Sequence, residues 1–524
     1  MKATSAFQPP QGFIMLILRN VLLGLCLCMA ALGPARAADK PNIVVIMVDD
    51  MAPMDLSAYN RGLGAVTTPN IDRLAKEGLM ISDYYAQPSC TAGRAAFITG
   101  QYPVRTGLTA VGQPGARVGI QDSDVTLAQL LKAEGYATGM FGKSHIGDRN
   151  EYLPTVHGFD EFFGFLYHLN IMEVAEMTNF PKDPKFPGIP RNVIHAVATG
   201  TDDATDEPRW GRVGRQKITD EGPLTIERMK TIDDTFTDKS IDWVRKQKAA
   251  NKPFFLWFTP SRMHQKIHVS NQWLGKSGHT EYADALLQLD SLVGKLLNTI
   301  DQEGLSKNTI VLFTSDNGVN LSHWPDGGAA SFRGEKGLTW DGGFRVPMLV
   351  RWPDHIKPDT WTGEFMTSED WLPTLMAAVG KPDVKAQLLK GLNVGGKTFR
   401  NHLDGYNQLD MLTRADGKSK RQEFFYFAET NLNAVRVGHW KIHTAVKDKW
   451  MEAAKPIPGG LVIDIKLDPY ERSPEAGDHF RWQQQRSWII PIIAPHLEAF
   501  EKSMKDYPPS QKGAAGIGMA SMEN

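Results

Sequence analysis

Cysteine is scarce in this chain of 524 residues, which contains three. Two of them, Cys26 and Cys28, lie in an apolar stretch near the N-terminus that has the features of a removable export signal. Without that stretch Cys90 is the only cysteine, so the mature chain cannot form an internal disulfide. A single cysteine in an exported protein is either a buried thiol or a reactive group.

Long hydrophobic runs are lacking as well. The apolar run 21–32 follows the basic residues Lys2 and Arg19 and precedes Ala35-Arg36-Ala37, a typical cleavage site. This pattern predicts a signal peptide over residues 1–37 and an exported protein, periplasmic or secreted. The run is too short for a membrane span, and no later segment approaches the ~20 apolar residues that a span needs. We therefore expect no membrane anchor.

The chain has no excess of charge of either sign, with 58 basic and 59 acidic residues. A nucleic-acid-binding protein usually carries a surplus of basic residues. We therefore expect no nucleic acid partner and a small-molecule substrate or ligand.

Apolar runs alternate with amphipathic segments over most of the chain. Continuous apolar runs such as residues 42–48, 254–259 and 309–314 are typical of strands buried on both faces of a parallel sheet. With the helices between them, they predict an α/β fold with a doubly wound, mostly parallel sheet over residues 38–400. From residue 401 to 524 sequential strands (423–429, 434–445 and 461–467) and a helix (488–505) predict a smaller antiparallel α+β domain.

Acidic, amide and basic side chains that could bind a ligand or take part in catalysis follow four of the predicted strands. Ligands bind beyond the carboxyl ends of the strands in doubly wound sheets, so these residues are candidates for one site. The oxygen-bearing set is Asp49, Asp50, Asp316 and Asn317, and the basic set is Arg94, Lys143, His145, His264 and Lys336. Hard divalent cations prefer oxygen ligands, and an amide carbonyl among carboxylates favours Ca²⁺ over Mg²⁺. Spacing alone leaves His268 as an alternative to His264.

Cys90 stands at the start of a predicted helix over residues 91–99. Free backbone N–H groups and the helix dipole at such a position lower a thiol pKa and attract anions. We therefore expect Cys90 and Arg94 to belong to an anion-handling site.

The motifs around these residues resemble those of the sulfatase family in the alkaline-phosphatase superfamily. Cys90-Thr91-Ala92-Gly93-Arg94 is similar to the signature C-x-P/A-x-R, and residues 100–107 are similar to the second signature, G-x-Y-x-x-R-x-G. The blocks Val48-Asp49-Asp50, Gly142-Lys143-Ser144-His145 and Ser315-Asp316-Asn317-Gly318 follow in the family's order. The resemblance extends from about residue 42 to residue 471 and implies an alkaline-phosphatase-like fold.

The resemblance implies that a formylglycine-generating maturation enzyme oxidises Cys90 to Cα-formylglycine (3-oxoalanine). One hydroxyl of its hydrate, assisted by Asp316 and one Ca²⁺, would attack sulfur, and the other, with help from His145, would expel sulfate. The implied metal ligands are Asp49, Asp50, residue 90, Asp316 and Asn317. Arg94, Lys143 and Lys336 would offset charge on the sulfuryl oxygens, and His264 and Lys336 would serve the leaving oxygen.

Three functions stay open on the sequence. The first is an arylsulfatase-like sulfuric ester hydrolase. The second is a phosphomonoester, phosphodiester or phosphonate hydrolase of the same superfamily, because these esters share shape and metal chemistry. The third is an exported cation-binding protein with an unmodified Cys90. Loops at 173–215 and 324–328 are predicted to contact the substrate, and they fit aryl, sugar and choline-like groups equally well.

Overall fold

A ten-stranded mixed sheet forms the core of the molecule. The computed structural model describes Met1 and residues 40–183, 185–328 and 331–513, so the predicted signal peptide lies outside the described residues apart from Met1. The strands in the described part of the chain are β1 (Asn42–Val48), β2 (Leu79–Ile81), β3 (Tyr84–Tyr85), β4 (Ala137–Lys143), β5 (Glu161–Phe165), β6 (Ile194–Glu207), β7 (Gly211–Asp220), β8 (Phe254–Thr259), β9 (Thr309–Ser315), β10 (Met348–Arg351), β11 (Thr360–Thr362), β12 (Met366–Thr367), β13 (Leu392–Val394), β14 (Lys397–Phe399), β15 (Glu423–Ala428), β16 (Asn431–Val437), β17 (Trp440–Val446) and β18 (Lys455–Asp464).

The centre of the large sheet is parallel, as predicted. Its strand order is β11-β2-β10-β9-β1-β8-β4-β5-β6-β7. The five strands from β9 to β5 in this order run parallel, while β10, β6 and β7 pair antiparallel with their neighbours. Val48 of β1 lies opposite Ser315 of β9, so the residues that follow these two strands leave the sheet side by side.

Helices cover both faces of the sheet, as the contacts of β8 demonstrate. Trp243 packs against Phe254, and Phe97 stacks on Trp257, three positions further along the same strand. Side chains an odd number of positions apart on a strand point to opposite faces, so the two helices lie on opposite sides. The α-helices in the described residues are Ser57–Asn60, Pro69–Glu77, Cys90–Thr99, Pro103–Thr106, Leu127–Ala133, Leu169–Val174, Ile226–Met229, Ile232–Ala249, Glu281–Gln302, Trp371–Ala378, Val384–Lys390, Leu409–Thr413, His479–Gln484 and Ile490–Asp506.

Two predictions about local structure are wrong. The region 173–215, predicted as a loop, contains most of the long hairpin of β6 and β7. The single strand predicted over residues 434–445 is two strands, β16 and β17, because Gly438 adopts a left-handed conformation with φ of 60° and turns the chain.

The C-terminal antiparallel sheet is present as predicted, in the order β15-β16-β17-β18. A second apolar cluster joins it to the rest of the molecule, with Phe424 and Tyr426 of β15 packed against Tyr85 and Phe344. The predicted domain boundary at residue 400 stays a prediction. None of the described helices has the length and apolar character needed to cross a bilayer.

A buried charged cluster reinforces this junction. Asp341 accepts hydrogen bonds from Tyr85 (2.6 Å), Tyr426 (3.1 Å) and Lys441 (2.9 Å). Glu471 accepts the backbone N–H of Asp341 at 2.6 Å and pairs with Lys441 at 2.7 Å. The C-terminal sheet is thereby tied to the segment 332–343 of the larger part.

Candidate active site

Acidic residues from two neighbouring strands meet at the carboxyl edge of the sheet. Asp49 and Asp50 follow β1, and Asp316 and Asn317 follow β9, as the register of the two strands requires. The backbone N–H of Asp50 donates to Asp316 Oδ1 at 3.3 Å. Asp50 has a φ of 54°, which turns its side chain away from the strand path. The four predicted oxygen ligands therefore share one buried place.

Cys90 begins the helix Cys90–Thr99 and points at these carboxylates. Its side chain is fully buried, and Sγ lies 3.3 Å from Asp49 Oδ1 and 3.8 Å from Asp50 Oδ1. Gly93, one turn further, makes this approach possible, because a Cβ at that position would stand 1.7 Å from the backbone oxygen of Asp316. The glycine after Ala92 thus allows the helix N-terminus to reach the sheet edge.

Three buried cations face the three carboxylates. Arg94 donates through Nε to Asp316 Oδ2 at 2.8 Å and through Nη1 to the Lys143 carbonyl at 2.8 Å. Lys143 donates to Asp49 Oδ2. Lys336 lies 2.5 Å from Asp50 Oδ1 and 2.9 Å from Cys90 Sγ. All three basic residues predicted for the sulfuryl oxygens therefore converge on residue 90.

Three histidine rings complete the site. His264 Nε2 lies 3.8 Å from Asp50 Oδ2. His168 stacks on His264 with ring centres 5.6 Å apart and lies 5.8 Å from the ring of His145. His268 lies elsewhere, since its Nε2 is 2.9 Å from Glu173. Of the two alternatives left by spacing, the structure brings His264 into the site.

Burial and neighbouring charges set the protonation of the site. Burial raises the pKa of the Cys90 thiol far above its usual range, and Asp49 adds to this effect. Burial also raises the pKa of Asp316 to about 7, with Asp49 adding to it, and lowers the pKa of His264 to about 4. Burial and the Lys143 charge lower the pKa of His145 well below its usual range. An unmodified Cys90 is therefore a neutral thiol and a poor nucleophile.

The oxygen-bearing side chains fit a divalent cation. Ligand atoms of Asp49, Asp50, Cys90 and Asp316 all lie within 4.8 Å of one another. Two buried oxygens, Asp50 Oδ2 and Asn317 Oδ1, have no hydrogen-bond partner among the described residues. Buried polar atoms are rarely left without a partner, so these two are available for a ligand. Oxygen donors of this kind suit Ca²⁺ or Mg²⁺.

His168 is the site residue that sequence analysis missed. It follows Tyr167 at the start of the short helix Leu169–Val174, in a stretch without a glycine or charge pattern. Its Nδ1 is buried without a hydrogen-bond partner within the described chain. The end of strand β5 could have pointed to His168, because Phe165 lies beside Lys143 and the residues that follow leave the sheet at the same edge.

Comparisons with known proteins agree with this geometry. The model of the family described as "Sulfatase" matches residues 41–381. Arylsulfatase A of Bos taurus is 32% identical over 468 residues, covering 85% of this chain and 85% of the relative. N-acetylgalactosamine-6-sulfatase of Rattus norvegicus is 31% identical over 508 residues, covering 90% and 88%.

Solved structures extend the comparison to the fold. The PsFucS1 sulfatase from Pseudoalteromonas sp. superposes with a TM-score of 0.78 at 28% identity, covering 91% of this chain and 93% of the other. The phosphonate monoester hydrolase of Agrobacterium radiobacter shares the fold, with a TM-score of 0.51 at 16% identity over 87% and 96% of the two chains.

Proposed function

The chain belongs to the sulfatase family, and we propose that it hydrolyses sulfate esters by means of a formylglycine residue formed from Cys90. The observation that carries this proposal is the position of Cys90. Its Sγ is enclosed by Asp49 Oδ1 at 3.3 Å and Lys336 Nζ at 2.9 Å, at the N-terminus of a helix. This place suits a group that must be polarised and must face a sulfate anion.

The residues that would hold a cation are Asp49, Asp50, Asp316 and Asn317, together with residue 90. We propose Ca²⁺, because an amide oxygen joins three carboxylates in a set without nitrogen ligands. With the cation bound and Cys90 converted, the hydrate of the aldehyde at position 90 would supply a hydroxyl that attacks sulfur, and the ester oxygen would leave as the alcohol. The second hydroxyl of the hydrate would then lose its proton and expel sulfate, which restores the aldehyde.

The basic residues divide the remaining work between binding and proton transfer. Arg94 and Lys143 each pair with a carboxylate and offset the negative charge of the sulfuryl oxygens. His145 has two ring nitrogens without a partner in the described residues, so it can take a proton from residue 90. His264 and Lys336 can protonate or stabilise the leaving oxygen. His168, stacked on His264, fixes the plane of that ring.

We further propose that the protein is exported and that a formylglycine-generating maturation enzyme is its partner. The features of residues 1–37 support export. The isolation of Cys90 within C-x-A-x-R supports its conversion. A periplasmic or secreted location follows from the same signal peptide.

One experiment tests both parts of this proposal. The full chain is expressed in a host that has the maturation enzyme, and the exported protein is analysed by mass spectrometry. The mature N-terminus should be Ala38, and the tryptic peptide containing Cys90 should lack the thiol and carry an aldehyde that traps hydrazines. Cys90→Ala and Cys90→Ser should both lose multiple turnover of 4-nitrophenyl sulfate.

Three outcomes would contradict the proposal. An active enzyme whose Cys90 peptide is entirely alkylated by iodoacetamide would rule out formylglycine. Turnover of 4-nitrophenyl phosphate without turnover of the sulfate would make the protein a phosphoester hydrolase of the same fold. Metal binding without turnover of either ester would make it a cation-binding protein.

A further inference from the structure

A second cavity lies beside the active site, on the C-terminal sheet. A small cavity between Ser89, Gly337 and the turn that follows β15 is lined by Glu429 and Trp450. The same two residues line a larger cavity of about 680 Å³ that extends along β16 and β17. Ser89 precedes Cys90 in the chain, so the small cavity lies next to the reacting residue, and Glu429 and Trp450 connect it to the larger cavity.

Trp450 lines this larger cavity and also faces Lys336 of the active site. Lys336 Nζ lies 5.4 Å from the centre of the Trp450 ring. The ring packs directly on Gly337, where a Cβ would stand 2.1 Å from Trp450 Cδ1. A group bound against the far part of this ring is therefore a close neighbour of a group bound at Lys336.

The cavity also presents polar groups with spare hydrogen-bonding capacity. Asn433 is 3% exposed, and its Nδ2 has no hydrogen-bond partner in the part of the chain that the structure describes. Lys447 is 5% exposed, and its ion pair with Glu429 is long, at 3.9 Å. Burial lowers the pKa of Lys447, with Glu429 acting in the opposite direction. A buried donor without a partner costs stability, and a ligand that accepts from it removes this cost.

The donors, the acceptor and the aromatic ring match a sugar unit. A pyranose offers hydroxyl groups that accept from Asn433 and Lys447 and donate to Glu429, and its C–H face packs on an aromatic ring. The carboxylate of Glu429 disfavours a second sulfate or another anion at the same place. A bare aryl sulfate would leave the cavity unfilled.

We propose that this cavity is a subsite for an uncharged sugar unit linked to the sulfated one, so that the preferred substrate is a sulfated oligosaccharide or polysaccharide. This inference rests on the proposed function, because it assigns a substrate class to the same active site. Asn433, Lys447 and Trp450 determine the specificity of the reaction and take no part in its chemistry.

The test compares matched substrates. Each pair consists of a sulfated monosaccharide and a disaccharide in which the same sulfated sugar carries an uncharged neighbour, with galactose, N-acetylgalactosamine, N-acetylglucosamine and fucose as the sulfated sugars. We expect at least one disaccharide to exceed its monosaccharide in kcat/KM by about tenfold or more, as one or two hydrogen bonds would give. Lys447→Met should remove most of this preference, while Lys449→Met should keep it. Lys449 is a matched control because it is 79% exposed and lies outside the cavity.

Asn433→Leu separates recognition from structure. It replaces the unpaired amide by an apolar group of similar size, so the free energy of unfolding should stay the same or rise while the disaccharide preference falls. The inference is overturned if no disaccharide exceeds its monosaccharide, or if Lys447→Met and Asn433→Leu change both members of a pair equally. Turnover of 4-nitrophenyl sulfate keeps the two proposals apart. Its absence in the mature protein contradicts the sulfatase function, and its presence without a disaccharide preference contradicts the subsite alone.

Discussion

Two buried clusters of charged side chains in this molecule differ in how completely their oxygens are hydrogen-bonded. This difference distinguishes a cluster that stabilises the fold from one that can bind a ligand. In the cluster at the C-terminal sheet, each carboxylate oxygen of Asp341 and Glu471 has a donor within the protein. In the cluster around Cys90, Asp50 Oδ2 and Asn317 Oδ1 have none among the described residues. Both clusters are equally buried. What distinguishes the active site is the incomplete pairing of its oxygens.

The pKa shifts follow the same division. Burial acts to raise the pKa of Asp341, but Lys441 and Arg345 hold it well below its usual range. Burial raises the pKa of Asp316 to about 7, and repulsion from Asp49 adds to this rise. The positive charges of Arg94 and Lys143 offset only part of it. The repulsion between Asp49 and Asp316 in this cluster is what a bound cation would relieve.

The largest expected effect is on activity, from Asp316→Asn. This change removes a negative charge from the cluster around Cys90 and weakens the pairing with Arg94. Turnover of 4-nitrophenyl sulfate should fall by at least about 10³-fold, and bound calcium should fall with it. The free energy of unfolding without calcium should fall less than in Asp341→Asn, because relief of the repulsion from Asp49 offsets part of the lost pairing with Arg94. Kinetics and elemental analysis of the purified variant measure turnover and bound calcium. Full activity with an unchanged metal content would contradict the claim that the cluster around Cys90 differs from the C-terminal cluster by binding a cation.

The second effect is on stability, from the matched change Asp341→Asn. Lys441 and Arg345 would lose the charge that compensates them in a fully buried setting. Breaking such a buried pair costs about 3–5 kcal/mol of folding free energy. Urea unfolding at pH 7 measures this loss, while the calcium content of the folded fraction should stay as in the unchanged protein. A variant of unchanged stability would mean that complete pairing adds nothing to the fold.

The smallest effect is the pH dependence of that loss. The folded pKa of Asp341 is depressed, so its contribution to stability is present above the unfolded pKa of about 3.9 and is lost as the pH falls through the folded pKa. The difference in unfolding free energy between the unchanged protein and Asp341→Asn should therefore be constant between about pH 6 and 8 and shrink below about pH 4. Urea titrations across this range test the sign, and a difference that grows on acidification would contradict it.

The sequence predicted well those parts of the fold that burial dictates. The strands β1 and β8 agree with their predicted bounds, because short continuous apolar runs are typical of strands buried on both faces of a parallel sheet. The hairpin of β6 and β7 could not be predicted, since most of β6 is exposed and residues such as Asp202 and Asp203 interrupt any alternation. Its pairing comes from backbone hydrogen bonds, which leave little trace in side-chain polarity.

The site was predictable wherever a strand end or a motif marked it. Asp49, Asp50, Asp316 and Asn317 follow apolar strands, and parallel strands bring their carboxyl ends together. The choice between His264 and His268 required the path of the chain after β8, which spacing does not specify. His168 reaches the site from a loop after β5, and its stacking on His264 is a tertiary contact without a local pattern.

The bond between Glu471 and the backbone of Asp341 has a consequence for the order of events during synthesis. Lys336 lies in the segment that this bond anchors, and Glu471 is translated long after Cys90, Lys143 and Lys336. A nascent chain holds most of the proposed catalytic side chains before Glu471, which anchors the segment of Lys336, has been made. Shortened products that stop before β17 lack Lys441 and Glu471. They should therefore have no hydrolase activity, rather than a reduced one.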